Sequence, residues 1–327
     1  MNQPDLHFHV ARGGASGIDP GPLAGAVVAI GNFDGMHRGH RAVIGAALTC
    51  AHKLGRKTAA LTFSPHPRLL FRPREPLFQL SSERDKLRLM AAAGLDGAIV
   101  MTFDAALAST SAKDFIARIL VDRLGIGGAA IGFDFHFGKN RQGSPDFLAA
   151  EGARAGFAVD IVAPLEDEGR PVSSGAVRKA LAEGKVVEAA ELLGAPWFVS
   201  GEVIHGDKRG RDLGFPTANL RLDPSCGLKH GIYAVRVGVG TERHDGVASF
   251  GIRPMFDAGA TLLEVHLFDF AGDLYGKTLD VAFIGWLRPE RKFESLDALK
   301  RAMETDAAQA HAALARSPGA FPKLGEI

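Results

Sequence analysis

The sequence has few cysteines, almost no net charge and no long apolar run, and each shortage closes off a class of function. Only Cys50 and Cys226 occur in 327 residues. They are too few for a disulfide framework or a CxxC metal knuckle, so a reducing compartment is expected. With 38 Lys and Arg against 37 Asp and Glu, the formal charge of +1 lacks the basic excess that a nucleic-acid backbone attracts. No stretch approaches the roughly 18 uninterrupted apolar residues of a membrane helix, and the opening residues show no basic segment followed by an apolar run. The expectation is a soluble cytoplasmic protein acting on small ligands, with neither nucleic acid nor membrane as partner; its oligomeric state leaves no mark in the sequence.

A P-loop is missing too. Gly272-Asp-Leu-Tyr-Gly-Lys-Thr278 is one residue short of the spacing and joins two strand-like runs, as a hairpin connection would, whereas a P-loop joins a strand to a helix.

What is present is a core of ordinary size. Hydrophobic residues make up 46% of the chain, and a typical domain of roughly 100 to 200 residues favours two domains. Boundaries at 19–184 and 185–327 fit a change of rhythm. From Ala26 to Ala163, apolar runs alternate with helical patterns, predicting an α/β fold with a parallel sheet covered on both faces. The strands are expected at 26–31, 58–63, 98–103, 129–133 and 157–162, and helices at 83–93, 112–124, 144–155 and 175–184. One more helix, after His40, presents Val43, Ile44, Ala47, Leu48, Ala51 and Leu54 on its apolar face. Beyond Pro196, strands expected at 197–204, 231–239, 245–250, 262–268 and 278–285 predict a small antiparallel barrel or sandwich. A final helix over 296–315 turns Leu296, Leu299, Ala302 and Met303 to one side.

Two segments carry chemistry. Gly31-Asn-Phe-Asp-Gly-Met-His-Arg-Gly-His40 follows a strand and opens a helix, the edge at which open α/β sheets bind ligands. Free amides at the helix start, with Gly35 and Gly39 allowing close approach, suit a phosphate. His37 and His40, three apart, can face one way and donate to a phosphoryl group gaining charge. Zinc competes for these imidazoles, with His66 as a third ligand, but the zincin spacing is four with a glutamate between. Farther on, Ser173 and Ser174 precede a helix and can cap it or present hydroxyls, and Arg178 offers a planar fork to phosphate oxygens.

In the second segment, Gly201 to Asn219, glycines including Gly206 and Gly210 let backbone amides approach an anion, and Lys208 and Arg211 add charge. Thr217 and Asn219 supply hard oxygens of the kind Mg²⁺ accepts beside phosphates and water. Glu264 lies on a strand face with His266 and Phe268, and a carboxylate among apolar neighbours suits a general base acting on an alcohol. This reading requires Asn219 and Glu264 on the same side of the barrel.

From Gly25 to Asp306 the chain resembles the bacterial bifunctional riboflavin kinase/FAD synthetases. The first motif resembles the HxGH box of the nucleotidyltransferase superfamily with the Gly-x-Phe-Asp-Gly prefix of the FAD synthetase branch. The second, through Phe215-Pro-Thr-Ala-Asn219, resembles the flavokinase signature. The resemblance implies a Rossmann-like nucleotidyltransferase domain followed by a flavokinase barrel with a terminal helix. It further implies Mg²⁺ with ATP, and riboflavin, FMN and FAD as substrates and products. By the same resemblance Asn32, His37 and His40 contact ATP phosphates, and Phe63, Pro65 and Asp134 seat the flavin or nucleotide. Ser173, Ser174 and Arg178 close on the triphosphate, Glu264 is the kinase base, and Arg288 lies near bound flavin. The sequence departs from the family pattern at Gly175, His136, Ser249 and Met255. The Gly175 departure keeps open a kinase with a degenerate adenylyltransferase domain, and a non-catalytic flavin or nucleotide sensor is a further alternative.

Overall fold

Runs such as Val27-Val-Ala-Ile30 are apolar at every position, which suits a strand buried on both faces, and the computed structural model places this one at 2% exposure or less throughout. Residues 7–167, 169–205, 215–252 and 261–327 are described; Gly206, Lys208, Gly210, Arg211 and Met255 lie outside them. The chain divides into two compact units, Met1–Leu77 with Glu83–Ser173 and Lys323–Ile327, and Phe78–Ser82 with Ser174–Pro322.

The first unit is built on β1 (His9–Gly13), β2 (Val27–Ile30), β3 (Thr58–Ser64), β4 (Gly97–Thr102), β5 (Gly128–Gly132) and β6 (Ala158–Val162). They form a parallel sheet in the order β1-β4-β3-β2-β5-β6. Five of these strands match the sequence expectation closely. β1 was not expected: it buries only Ala11 well, so no periodicity marks it, and pairing with β4 makes it a strand.

Helices α1 (Arg38–Leu54), α2 (Pro67–Phe71), α3 (Glu83–Ala92), α4 (Ala105–Ser109), α5 (Ala112–Asp114) and α6 (Pro145–Ala155) belong to this unit, as does a hairpin of β7 (Glu166–Asp167) and β8 (Arg170–Pro171). α1 buries Val43, Ile44, Ala47 and Ala51, with Val43 and Ile44 each contributing roughly 2 kcal/mol. It stops at Gly55, whose φ of 62° is the left-handed cap that glycine adopts without strain. Leu54, expected on the apolar face, is 50% exposed at this frayed end. The single helix expected over 112–124 is α5 running into a π-helical segment, Phe115–Val121. Its i to i−5 bonds include Asp122 N–H to the Ala117 carbonyl at 2.9 Å. Phe115, Ile116, Ile119 and Leu120 are all buried, and apolar spacing alone does not distinguish the two ladders.

The second unit contains α7 (Ser174–Ala182), α8 (Val186–Leu193), β9 (Phe198–Ile204), β10 (Ala218–Arg221), β11 (Gly231–Val239), β12 (Glu242–Ile252), β13 (Thr261–Leu267), β14 (Thr278–Arg288) and α9 (Leu296–Ala315). Six strands close into an antiparallel barrel in the order β10-β13-β12-β11-β14-β9. The four-residue β10 lies where the sequence expectation places no strand. β13 and β14 are not neighbours, so Gly272–Thr278 lies in a connection between unpaired strands and not in a hairpin.

α9 packs on β11, β12 and β14, which explains why β11 is buried along both of its faces. The buried positions of α9 are Ala302, Asp306, Ala310, Ala313 and Leu314, whereas Leu296 is 69% exposed. Of the expected face Ala302 is buried and Leu296 is not, so the helix seats by its C-terminal two-thirds, through small residues that permit close approach. Trp197 stacks on Phe283, meets Phe78 edge-on and donates its indole N–H to the Leu80 carbonyl at 2.8 Å.

Candidate active sites

The strand order places β3, β2 and β5 side by side with β2 in the middle. The chain leaves β2 toward β3 on one side, and β5 lies on the other, so a topological switch point opens at their carboxyl ends. Three of the predicted segments emerge there: Phe63 near the end of β3 with Pro65 just beyond it, the Asn32 loop after β2, and Asp134 after β5. Phe63 packs edge-on against Phe103 at 5.8 Å, the Ser64–Pro65 peptide is cis, and Pro65 and Asp134 are exposed. The Asp134 carbonyl accepts a 2.9 Å bond from His136 Nδ1.

The loop from Gly31 to His37 is held in an unusual backbone. Phe33 (φ 52°), Gly35 (φ 79°) and Met36 (φ 51°) are all left-handed, a conformation that costs a residue with a Cβ about 1 to 2 kcal/mol. Phe33 and Met36 are 1% and 0% exposed, and burying two such side chains, each contributing roughly 2 kcal/mol, offsets that strain. The loop ends at His37, the N-cap of α1, whose Nδ1 accepts the His40 amide at 3.3 Å. An accepting Nδ1 carries no proton, so neutral His37 holds its hydrogen on Nε2 and can donate from there. The His37 and His40 rings stack, with centroids 3.6 Å apart and planes at 20°. Phe33 closes on His40 edge-on at 5.3 Å.

His40 is half-buried, and its Nδ1 lies out of contact with solvent and has no hydrogen-bond partner among the described residues. Burial first, then the neighbouring His37, then Lys86 hold its pKa well below the ordinary imidazole value of 6.5. A Cβ on Gly39 would stand 3.1 Å from His37 Nδ1 and 3.5 Å from the Val172 carbonyl, so glycine keeps this helix start open. The first turn of α1 carries no acidic residue, leaving the positive end of the helix unopposed for an anion.

Ser173 follows Val172 at the end of this unit's chain. Ser174 opens α7 in the second unit, where Arg178 donates from Nε to the Phe78 carbonyl at 2.6 Å.

Sequence reasoning passed over Lys86. It is 8% exposed and donates to the Asn32 carbonyl at 3.3 Å and to Thr62 Oγ1 at 3.2 Å. A faint signal existed, because Lys86 lies three and four residues before the buried Leu89 and Met90 on α3 and so shares their face.

In the barrel, cross-strand register does what sequence distance hides. Asn219 on β10 stands opposite Glu264 on β13, and Glu264 stands opposite Ser249 on β12. Directly paired residues share a face, so a polar row Asn219, Glu264, Ser249 crosses three strands. Asn219 is buried at 6% exposure. His266 Nδ1 donates to the Pro216 carbonyl at 2.8 Å and its ring meets Phe215 edge-on. These contacts anchor the chain just before Thr217. The neighbours of Glu264 in the sheet are thus polar, not the apolar set expected.

Arg288 grips Asp306 of α9 with two 2.7 Å bonds and donates to the Pro289 carbonyl at 2.9 Å. The guanidinium is held in place by these three bonds.

Among the described residues, no group of three or more His, Cys, Asp or Glu side chains is arranged to hold a metal ion. His66 is instead the N-cap of α2, its Nδ1 accepting from the Arg68 amide at 3.1 Å. Also among the described residues, no helix is long and apolar enough to cross a membrane.

A parallel sheet with an imidazole-capped helix at its switch point, together with a closed barrel bearing an Asn–Glu row, defines the class: a nucleotidyltransferase-type unit joined to a flavokinase-type barrel. The FAD synthetase family matches residues 20–176 and the riboflavin kinase family residues 193–314. Over 294 residues the chain is 42% identical to the bifunctional riboflavin kinase/FMN adenylyltransferase of Pseudomonas fluorescens and 39% identical to that of Escherichia coli K12. Each alignment covers 90% of this chain and 94% of the relative. The Bacillus subtilis relative is 38% identical over 296 residues, 88% of this chain and 92% of its own. A crystal structure described as a macrolide-efflux protein from Streptococcus pneumoniae superposes with a TM-score of 0.80 at 31% identity, covering 91% of this chain and 96% of that one. The chain belongs to the family of bifunctional riboflavin kinase/FMN adenylyltransferases.

Proposed function

We propose that residues 185–327 transfer the γ-phosphoryl group of ATP to the ribityl 5′-hydroxyl of riboflavin, and that residues 19–184 transfer AMP from a second ATP to the resulting FMN, releasing pyrophosphate and FAD. The family membership supports both activities. The observation that carries the residue-level reading is the register pairing of Asn219 with Glu264.

In the barrel, Glu264 takes the proton of the riboflavin hydroxyl as it attacks phosphorus. Asn219 and Thr217 offer a carbonyl and a hydroxyl oxygen beside that carboxylate, a hard donor set that fits Mg²⁺. Bound there with ATP, Mg²⁺ would neutralise phosphate charge. Gly206, Lys208, Gly210 and Arg211 are proposed to hold phosphates, and Arg288, fixed by Asp306, to flank the flavin.

Within residues 19–184, Asn32, Gly35, Gly39 and the helix start are proposed to seat the triphosphate of ATP, with Ser173, Ser174 and Arg178 as further donors. The Nε2–H of His37 and the imidazole of His40 stabilise charge building on the α-phosphoryl group. Phe63, Pro65 and Asp134 border the flavin or nucleotide.

Replacing Glu264 by Gln tests the assignment. FMN formation from riboflavin and ATP should fall about 100-fold or more, while FAD formation from supplied FMN stays at its original rate. Undiminished FMN formation by Glu264→Gln would remove the carboxylate from its role as base.

A further inference from the structure

We propose that Lys86 is a positioning residue of the adenylyl-transfer site, its buried ammonium tying the Asn32–Met36 loop to β3 and setting a fixed positive charge within electrostatic reach of His40. This rests on the reading that His37 and His40 serve adenylyl transfer.

The geometry is local and closed. Lys86 projects from α3 into the first unit at 8% exposure, where an amine loses its hydration. Two of its hydrogens go to the Asn32 carbonyl and Thr62 Oγ1, and Thr62 itself donates to the Asn32 carbonyl at 3.2 Å. One carbonyl thus accepts from both a helix and a strand, immediately before the left-handed residues Phe33, Gly35 and Met36. Those backbone angles put His37 at the cap of α1, and the clamp keeps the loop from relaxing out of them.

A neutral side chain of similar length could make the same bonds, so the charge needs its own account. Burial lowers the pKa of the ammonium from its ordinary value, and the groups facing it, Asp34 in the loop and Glu83 on α3, work in the opposite direction to favour its charged state. His40 faces His37 from the loop and Lys86 from α3, and burial, then His37, then Lys86 oppose its protonation. A neutral His40 leaves the stacked His37 the partner better able to take up positive charge, and Lys86 adds a fixed cation near the place where the triphosphate would lie.

The test uses the full-length protein and reads both activities in the same tube. Lys86→Met should lower kcat for FAD formation from FMN about 10- to 100-fold while riboflavin phosphorylation, in the other unit, holds at its original rate; thermal unfolding of the variant checks that the α/β unit stays folded. The acid limb of the FAD-forming pH profile should move to higher pH, because removing a cation eases protonation of His40. Lys86→Arg should restore the profile, and Lys86→Gln, which keeps donors without charge, should recover part of the rate but not the acid limb. Unchanged rate and profile in Lys86→Met would overturn the proposal, as would a rate loss with the acid limb in its original place, which marks a purely structural lysine. His40→Ala is run alongside. If it loses FAD formation while Lys86→Met does not, only the lysine proposal falls; if His40→Ala keeps FAD formation, the histidine reading falls and the lysine proposal with it.

Discussion

Asn219 shows how much a single side chain owes to register. Forty-five positions separate it from Glu264 in sequence, yet antiparallel pairing of β10 with β13 sets the two directly opposite, close enough for one ion to touch both groups. Removing the carboxamide leaves the carboxylate in place while deleting one oxygen of the proposed magnesium site. Asn219→Ala should therefore raise the Mg²⁺ concentration needed for half-maximal FMN formation and lower its maximal rate, with FAD formation from FMN unaffected. Titrating Mg²⁺ at fixed ATP for both reactions measures this, and an unshifted requirement would exclude Asn219 as a metal holder. His37, His40, Asn219 and Glu264 were legible in the sequence because their motifs are short and contiguous or stand on a recognisable strand. Lys86 was not, since a buried lysine has the letter of a surface one and only the fold reveals that Asn32 and Thr62 converge on it.

At the scale of elements, periodicity exposed most strands and nearly all the longer helices, because burying one face leaves a repeat that survives without coordinates. What it missed has a physical pattern. β1 buries only Ala11 well, and β10 carries the polar Asn219 and Arg221 among its four residues, so neither shows an apolar run and both exist because a neighbouring strand offers hydrogen bonds. α9 has its expected bounds and buries Ala302 as expected, but its seating shifts toward the C-terminus, since alanines at 310 and 313 carry little hydrophobic signal while Leu296 carries much. Its one charged buried position, Asp306, is the pin. Asp306 and Arg288 have side-chain exposures of 7% and 18%, and two parallel bonds join them. Asp306→Ala should cost about 3 kcal/mol, because Arg288 loses its partner in a half-desolvated place. Arg288→Met with Asp306→Leu together should cost less than the single aspartate change. Thermal or denaturant unfolding of the three variants measures this, and additive losses would show that the pair is not coupled. Riboflavin affinity should fall in Asp306→Ala if the held guanidinium flanks the flavin.

For the whole molecule, two units with separate cores carry two chemistries that share a metabolite: the product of one is the substrate of the other. Each unit takes in a segment remote in sequence, Phe78–Ser82 joining the barrel unit and Lys323–Ile327 the α/β unit, an arrangement that no linear reading of domain boundaries contains. If the two proposed sites share no residue and FMN leaves the first before entering the second, damage to one site should be made good by an intact copy elsewhere. Glu264→Gln protein forms FAD only from supplied FMN, and His40→Ala protein should stop at FMN. Mixed in equal amounts with riboflavin and Mg-ATP, the two should form FAD after a lag in which free FMN accumulates, at a rate that rises with the concentration of the Glu264→Gln protein. Chromatographic separation of riboflavin, FMN and FAD over time follows each stage. Absence of FAD from the mixture, while each protein retains its remaining activity alone, would mean that FMN passes between the sites without release, and the two reactions would then have to be treated as one process.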